Sequence, residues 1–411
     1  MSNPKRILIL TSDAGFGHRA AAEAMAAALQ EMYGDRCTTL IVNPLDDPRA
    51  PAILRDSPAE YDHVVRQSPE FYKLRYEVSD APLPAAIIER VMAMMLFDTM
   101  RNTLQQHQPD AIVCSYLFYT AAIKAVFDSN KVEIPLITVV TDLVNVHRIW
   151  FNSAVDLCLA PTQAAFDQAL ENGLAPEQVL LTGVPINPKL AQPHPPRAAL
   201  RATLGWQPDL TTALAVGSKR VPNVTEMLHG LNHAGLPLQL VIVAGGDDEL
   251  YEKLRKTEWH AVTQLYHYVE DMSTFLHAAD CVISKAGGLI VSEALACGLP
   301  MVLVDVIPGH ETGNAEYVIE GGAGEQANNP LEVLAIMCHW LERDGELLTQ
   351  RANQARNLGH PRAAYTAAEK IWGLAQRGPR PQPPRSLITL PKLAEVLGLG
   401  DEPGPETKPE G

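Results

Sequence analysis

Short apolar runs alternate with helix-forming stretches twice along this chain of 411 residues. In the first half, the predicted strands are residues 6–10, 37–42, 110–115, 134–140, 155–160 and 178–181. After residue 210 the alternation starts again, with predicted strands at residues 211–216, 238–244, 262–266, 281–284 and 301–304. Strands that alternate with helices build parallel, doubly wound sheets. The sequence therefore predicts an α/β fold made of two Rossmann-like domains.

A proline-rich segment separates the two halves, with five prolines between residues 183 and 197, as is typical of an interdomain linker. We predict an N-terminal domain at residues 1–190, a C-terminal domain at 191–361, a helix at 362–377 and a Pro-rich, disordered tail at 378–411. Within the C-terminal domain, helices are predicted at residues 223–234, 247–257, 272–278, 289–297 and 331–343.

Composition limits the classes of partner. The net charge of −15 argues against nucleic acid, which selects basic surfaces, and against a broad electrostatic hold on anionic lipid. The six cysteines form no C-x-x-C pair, so we expect reduced thiols and no structural zinc. The apolar run near the N-terminus is too short for a signal peptide, and no run reaches the length of a membrane span. We therefore expect a cytoplasmic protein that meets membranes only peripherally.

One stretch of the second half has the pattern of an anion-binding site. A predicted strand ends at Ser284, Lys285 follows it, and Gly287 and Gly288 permit a tight turn into the next helix. The N–H groups and the dipole of a helix N-terminus favour bound anions. Glu293, one turn further on, is placed to accept hydrogen bonds from a ribose diol. Glycines at such turns also serve packing, so the turn alone is a weak signal.

A polar loop follows the next predicted strand. Its candidate ligand residues, after the strand that ends near residue 304, are Pro308, Gly309, His310, Glu311 and Asn314. The glycine turn, Glu293 and the polar loop would then contact, in that order along the chain, a phosphate, a ribose and a polyhydroxylated group. The combination predicts a nucleotide-sugar site.

These two motifs together resemble the donor-binding half of GT-B glycosyltransferases. The resemblance is closest to the monogalactosyl- and monoglucosyldiacylglycerol synthases, which are relatives of the peptidoglycan N-acetylglucosaminyltransferase. It implies two Rossmann-like domains that face a cleft, with the last helix crossing back onto the first domain. The family commonly has Gly-Gln-Glu-Lys-Gly-Asn where this chain has His310 and Thr312. That difference leaves galactose and glucose both open as the donor hexose.

The segment from Gly15 to Ala20 formally fits G-x-G-x-x-A, and Asp46 and Asp47 follow the second predicted strand, as in NAD-dependent dehydrogenases. A dehydrogenase, however, leaves the glycine turn at 287–288 unexplained. In the diacylglycerol glycosyltransferases, a Gly-x-Gly-His-Arg-Ala segment faces the cleft. The resemblance therefore implies that Gly17 borders the donor and that His18 is the catalytic base, a role that suits the intrinsic pKa of histidine. A capping or surface histidine is the alternative.

The segment 141–151 follows a buried predicted strand and matches a Val-Thr-Asp-Leu…His…Trp-Phe pattern of that family. We predict that Asp142 orients His18 or accepts a hydrogen bond from a sugar. His147 and Trp150 are predicted to line the acceptor side of the cleft. An ordinary helix cap and core aromatic residues are the alternative, above all for Trp150.

Two further loops are assigned to the donor. Gly217, Ser218 and Lys219 follow the first strand of the second half and are predicted to contact phosphate, with a solvated turn as the alternative. The resemblance places Val269 and Met272 at the uracil. The sequence contains no D-x-D and no H-E-x-x-H, so it predicts no metal-dependent GT-A route and no cofactor. The departing UDP is expected to be stabilised by Lys285 and the helix N-terminus.

The segment 49–101 carries seven basic and eight acidic residues and a Met- and aromatic-rich run at 91–97. It suits an acceptor-lipid site at a bilayer surface, and an ordinary core helix is an equal alternative for the run.

The predicted function is glycolipid synthesis by an inverting transferase that moves a hexose from a UDP-sugar to diacylglycerol. We expect the enzyme to lie at the inner face of the plasma membrane. The alternatives are a UDP-sugar 2-epimerase, a transferase to an undecaprenyl-type lipid and a non-catalytic nucleotide-sugar binder.

Overall fold

The computed structural model describes residues 3–13, 16–55, 78–218, 221 and 223–382. Seven strands belong to the first half of the chain: β1 Lys5–Leu10, β2 Cys37–Val42, β3 Ala111–Cys114, β4 Val132–Glu133, β5 Leu136–Val139, β6 Leu157–Ala160 and β7 Val179–Leu181. Six of them form a parallel sheet in the order β2-β1-β3-β5-β6-β7. The short strand β4 pairs instead with β14, Arg380–Pro381.

The second half forms another six-stranded parallel sheet, in the order β10-β9-β8-β11-β12-β13. Its strands are β8 Thr211–Val216, β9 Leu238–Val243, β10 Val262–Tyr266, β11 Cys281–Ser284, β12 Met301–Leu303 and β13 Gly324–Gln326. The predicted pair of doubly wound sheets is confirmed. Strand β13 was not predicted, because its Gly-Glu-Gln sequence has no apolar run.

Helices cover both faces of each sheet. In the first half they are α1 Phe16–Tyr33, α2 Ala52–Arg55, α3 Pro82–His107, α4 Tyr119–Asn130 and α5 Gln163–Glu171. In the second half they are α6 Arg197–Leu204, α7 Val224–Met227, α8 His229–His233, α9 Asp248–Lys256, α10 Met272–Ala278, α11 Gly288–Ala296, α12 His310–Glu320, α13 Pro330–Leu358 and α14 Ala363–Arg377.

Side chains that alternate in direction along each strand give each face of the first sheet its own hydrophobic core. In β1, Leu8 and Leu10 pack under α3 and α4, whereas Ile7 and Ile9 pack under α1 and α14. Because successive side chains of a strand point to opposite faces, a strand that is buried on both faces has apolar residues at nearly every position. Helix α14 follows the second sheet in sequence but packs on α1 and the first sheet, through residues that include Ala364, Ala368 and Ile371.

Three helix predictions differ from the structure. The predicted helix 223–234 is divided into α7 and α8. Helix α13 does not end near Arg343: its backbone leaves the helical region from Glu342 to Gly345 and then continues to Leu358. The polar residues after Gly309 were predicted as a loop but form the first turns of α12. Gly309 reverses the chain there with a φ of 103°, and Thr312 Oγ1 accepts a hydrogen bond from its N–H.

Within the described ranges, no helix is both long and apolar enough to cross a membrane.

Candidate active site

His18 lies at the switch point of the first sheet. Strands β1 and β3 are neighbours whose connections leave on opposite sides, an arrangement that opens a crevice at the carboxyl ends of the strands. His18 is in the first turn of α1, the first helix after β1. Its backbone carbonyl accepts a hydrogen bond from Ser115 Oγ, which follows β3, at 3.0 Å. The first turn of α1 is thereby tied to the neighbouring strand.

The His18 ring lies beside a hydroxyl group and aromatic side chains of the described residues. Thr141 Oγ1 lies 3.1 Å from its Nδ1 atom. The ring of Tyr116 stands edge-on to it at 5.3 Å between centroids, and that of Trp150 lies at 6.0 Å. These contacts leave the orientation of the imidazole little freedom, as a catalytic base requires.

Asp142 occupies a different place from the one predicted. Its Oδ2 atom accepts a hydrogen bond from Trp150 Nε1 at 3.2 Å, and the hydroxyl beside the His18 ring belongs to the preceding residue, Thr141. Asp142 is therefore connected to His18 through Trp150, and its predicted hydrogen bond to a sugar stays a prediction.

His147 packs inside the first domain beside α3. Its Nε2 atom lies 3.1 Å from Ser79 Oγ, and its Nδ1 atom accepts from Ile149 N at 3.3 Å. Burial lowers the pKa of His147, while the nearby Asp80 carboxylate acts in the opposite direction. In this structure the buried imidazole of His147 connects Ser79, just before α3, to the 147–151 segment. Its predicted role on the acceptor side stays a prediction. Trp150 is fully buried, and its ring lies against that of His18.

The second sheet presents its own switch point, between β8 and β11. Lys285 follows β11, and α11 begins at Gly288 with no side-chain cap among the described residues. The Lys285 Nζ atom lies 3.2 Å from the point that a Gly287 Cβ would occupy, so the cation stands over the glycine turn. A cation and uncapped N–H groups at one turn form an anion-binding site.

Thr141 brings the two switch points together. A Cβ added to Gly288 would lie 2.6 Å from the Thr141 carbonyl oxygen, which only glycine permits. The same residue contacts the His18 ring through its hydroxyl. His18 and the start of α11 therefore lie on either side of Thr141, at the strand ends where doubly wound sheets bind ligands.

Glu293 supplies a carboxyl group without a hydrogen-bond partner among the described residues. It is half-buried on α11, one turn beyond the glycines, and burial raises its pKa to about 7. A carboxylate that lacks protein donors is suited to accept hydrogen bonds from a diol.

Glu311 and Asn314 bind protein atoms rather than open space. Glu311 is completely buried; its Oε1 pairs with Lys285 and its Oε2 accepts from Ile307 N at 3.1 Å. Asn314 accepts from Leu143 N at 3.2 Å and donates to the Ala286 carbonyl at 2.9 Å. Their predicted contact with the sugar of the donor stays a prediction; in this structure both side chains bind residues around the glycine turn, and Asn314 joins the two halves.

Gly217 also has a different role from the one predicted. Its N–H donates to Val243 O at 2.8 Å, and a Cβ would lie 2.6 Å from Leu250 Cδ2. The glycine serves close packing and does not present its N–H to a phosphate.

The other predicted donor residues lie in several different environments. Val269 and Met272 are partly buried and pack against the core of the second half of the chain. Pro308 is half-buried, and the Gly309 carbonyl accepts a hydrogen bond from Asn145 Nδ2 at 3.4 Å. A Cβ on Gly17 would meet nothing within 4 Å, so the space beside it is open. Ser218 is half-buried, while Lys219 and the side chain of His310 lie outside the described residues.

The sequence analysis missed Thr141, Tyr116, Ser115 and Asn145. The available signal was position, since the first three lie just beyond the carboxyl ends of β3 and β5, where ligands bind in such sheets.

Comparisons with known proteins agree with this architecture. Residues 18–186 match the monogalactosyldiacylglycerol (MGDG) synthase family, and residues 211–358 match the glycosyl transferases group 1 family. The MGDG synthase of Spinacia oleracea is 30% identical over 385 residues, which cover 91% of this chain and 73% of that protein. A probable MGDG synthase of Nicotiana tabacum is 29% identical over 390 residues, covering 92% and 72%.

Solved structures share the fold. MurG of Acinetobacter baumannii superposes with a TM-score of 0.58 at 16% identity, covering 90% of this chain and all of that one. UDP-GlcNAc 2-epimerase of Neisseria meningitidis gives a TM-score of 0.55 at 13% identity, covering 90% and 100%.

Two Rossmann-like domains with a C-terminal helix that packs back on the first have the GT-B architecture, and the match to the glycosyl transferases group 1 family makes the chain a glycosyltransferase of that class. Within that class, the chain belongs to the monogalactosyldiacylglycerol synthase family.

If Glu293 binds the ribose of the donor as predicted, its raised pKa should make donor binding depend on pH. Hydrogen bonds from a ribose diol favour the ionised carboxylate, so we expect the affinity for a UDP-hexose to rise about tenfold from pH 6 to pH 8. The pyrophosphate diester of this donor does not titrate in that range. Calorimetry in buffers of different ionisation enthalpy should show proton release on binding.

Glu293→Gln is the matched control and should bind with an affinity that does not vary with pH. Because the folded-state pKa of about 7 exceeds the ordinary value of 4.5, the unfolded state loses this proton first as pH rises. Glu293 therefore destabilises the folded protein increasingly as the pH rises from 4.5 to about 7, and this loss of stability persists above pH 7. The Gln variant should be the more stable protein at pH 8. Identical pH profiles for both proteins would contradict the assignment.

Proposed function

We propose that the protein synthesises a glycolipid by transferring a hexose from a UDP-sugar to diacylglycerol, with His18 as the base. The free hydroxyl oxygen of diacylglycerol attacks C1 of the hexose as the bond from C1 to the phosphate oxygen breaks. Nε2 of His18 takes the hydroxyl proton, and UDP leaves with the electron pair of the broken bond. A single displacement of this kind inverts the configuration at C1.

The donor side is proposed on α11 and the residues before it. The N-terminal N–H groups of α11 and the Lys285 ammonium face the diphosphate and stabilise the charge that develops on the leaving UDP. Lysine has three N–H donors, of which Glu311 takes one, so two are left for phosphate oxygens. Glu293 accepts from the ribose.

The observation that supports this proposal best is the double contact of Thr141, with the His18 ring and with the first residue of α11. It brings His18 and the start of α11 to either side of one residue, so the proposed base and the proposed leaving group would be close together. A base and a leaving group that share a crevice are what a direct displacement requires.

Galactose is the hexose that we propose, because the relatives in spinach and tobacco are described as monogalactosyldiacylglycerol synthases. The test incubates the protein with UDP-galactose, UDP-glucose or UDP-GlcNAc and with diacylglycerol in detergent, followed by mass spectrometry of the lipids. We expect a hexose mass increment with UDP-galactose. Unchanged lipid with every donor, together with release of an epimer of UDP-GlcNAc, would instead establish a 2-epimerase.

The lipid acceptor requires access to a membrane, and helix α3 offers an apolar stripe for it. Leu83, Ile87, Val91 and Met94 are 72%, 54%, 43% and 80% exposed. Their spacing places them along one side of the helix. The helix packs on Arg148–Trp150, and Trp150 touches His18. We therefore propose that this stripe seats the enzyme peripherally, at the inner face of the plasma membrane, with the crevice close to the lipid.

Removing part of the stripe tests the membrane contact. We expect Leu83→Ser with Met94→Ser to reduce partition onto vesicles of phosphatidylcholine and diacylglycerol at least tenfold, since each apolar side chain that enters the bilayer contributes about 1.5–3 kcal/mol. Because the stripe is uncharged, partition of the wild type should change little between low and high salt. Sedimentation with vesicles measures both.

Leu331→Ser is the matched control, because Leu331 on α13 is equally exposed, at 73%, but belongs to the other domain. It should leave partition unchanged. Equal partition of the stripe variant and this control would rule out the stripe as the membrane contact.

A further inference from the structure

The contact between Thr141 and His18 determines which nitrogen of the imidazole carries the proton. Thr141 is 6% exposed and lies just beyond β5, and its hydroxyl is 3.1 Å from His18 Nδ1. A neutral imidazole carries one N–H, and a hydroxyl either accepts from it or donates to the bare nitrogen. If Thr141 donated to Nδ1, the proton would sit on Nε2, and no nitrogen would be left to take a proton from the acceptor.

The productive arrangement is therefore the one in which Nδ1–H donates to Thr141 Oγ1. Nε2 is then the ring nitrogen that can accept the proton of the acceptor hydroxyl. Hydrogen bonding at one ring nitrogen generally fixes the tautomer at the other.

The backbone of Thr141 is fixed from the second domain. Its carbonyl oxygen occupies the place of the missing Gly288 side chain. Two residues on, Leu143 N donates to Asn314 Oδ1 at 3.2 Å, and a Cβ on Gly313 would lie 2.8 Å from Asn145. The segment that carries the hydroxyl thus packs against the glycine turn at residues 285–288, called the donor turn below, and against the start of α12.

We propose that Thr141 is a positioning residue that holds His18 as the Nδ1–H tautomer, and that Gly288 keeps this hydroxyl in register by leaving room for the Thr141 carbonyl. The inference rests on the proposed function, in which His18 is the base. Its consequence is that a change at the donor turn of one domain alters the protonation of the base in the other.

The test is nitrogen NMR of the full chain with ¹⁵N-histidine, with the His18 signals identified by their loss in His18→Gln. The wild type should show a protonated Nδ1 and a bare Nε2 above the pKa of the ring. Thr141→Val removes the acceptor, so His18 should shift toward the Nε2–H form or a mixture. The kcat should fall ten- to hundredfold, while KM for the UDP-hexose changes less than threefold. Thr141→Ser, which keeps the hydroxyl, should restore both the spectrum and most of the rate.

Thr138→Val is the matched control. Thr138 is on β5 and completely buried, and its hydroxyl has no hydrogen-bond partner among the described residues. The same chemical change there should leave the His18 signals and kcat as in the wild type.

Gly288→Ala tests the second half of the proposal. Its methyl group would displace the Thr141 carbonyl, so the His18 signals should move toward those of Thr141→Val before any donor is added. Wild-type His18 signals in both Thr141→Val and Gly288→Ala would overturn the inference.

This outcome is distinct from failure of the proposed function. If His18→Gln kept full transferase activity, His18 would not be the base, whatever the spectra of the Thr141 variants. If His18→Gln were inactive and Thr141→Val kept both the wild-type spectrum and the wild-type rate, only the role of Thr141 would fail.

Discussion

Replacement of His18 with alanine is expected to reduce hexose transfer by about 10²–10⁴-fold, the range that general base catalysis supplies. The Ser115 hydroxyl binds the His18 backbone carbonyl, and this contact survives the substitution. The start of α1 should therefore keep its place. Affinity for UDP should stay within about twofold of the wild type, because the donor is proposed to bind across the crevice on α11. Initial rates with radiolabelled UDP-hexose and calorimetry with UDP measure the two effects.

His229→Ala is the matched control, since it removes an exposed imidazole from α8 in the second domain. It should leave the rate unchanged. A His18→Ala protein that retains more than about a tenth of the wild-type rate would show that another group accepts the proton. A variant that loses UDP affinity as strongly as rate would place His18 in donor binding instead.

Much of the fold follows from the sequence because its strands are buried on both faces. Such strands need an unbroken apolar run, and the predicted strand 211–216 coincides with β8, and 281–284 with β11. Strand β13 is a polar segment at the edge of the sheet, so no run marks it. The interruption of α13 at Glu342–Gly345 also escapes a pattern argument, because residues 343 and 344 are non-glycine residues with positive φ.

For the candidate site, the sequence predicts which loops are involved, whereas the contacts between side chains come from the structure. Strand ends and glycine turns led to His18, Lys285 and Gly288, because loop positions follow from topology. Whether Thr141 or Asp142 touches His18 depends on the direction of each side chain where the chain leaves β5, which local sequence does not encode. The pairing of Lys285 with Glu311 depends on where α12 begins, and that follows from the left-handed turn at Gly309.

Lys285→Met should be the most destabilising single change that we propose. Glu311 is completely buried and the Lys285 side chain is only 17% exposed, so the lysine compensates a carboxylate that has no access to water. Removal of one partner of a buried ion pair typically costs about 3–5 kcal/mol in the free energy of unfolding. Unfolding in urea, followed by tryptophan fluorescence, measures the loss.

The double variant Lys285→Met with Glu311→Gln separates stability from function. The neutral glutamine keeps an oxygen for Ile307 N and leaves no charge buried, so most of the lost stability should return. Donor affinity should not return, because the proposed ammonium contact with the diphosphate is still absent. As a control, Glu252→Ala breaks a pair with Arg255 whose side chains are 53% and 60% exposed, and should change stability by less than about 1 kcal/mol. If the double variant bound UDP as tightly as the wild type, Lys285 would serve only to neutralise Glu311, and the diphosphate would be held by the N–H groups of α11 alone.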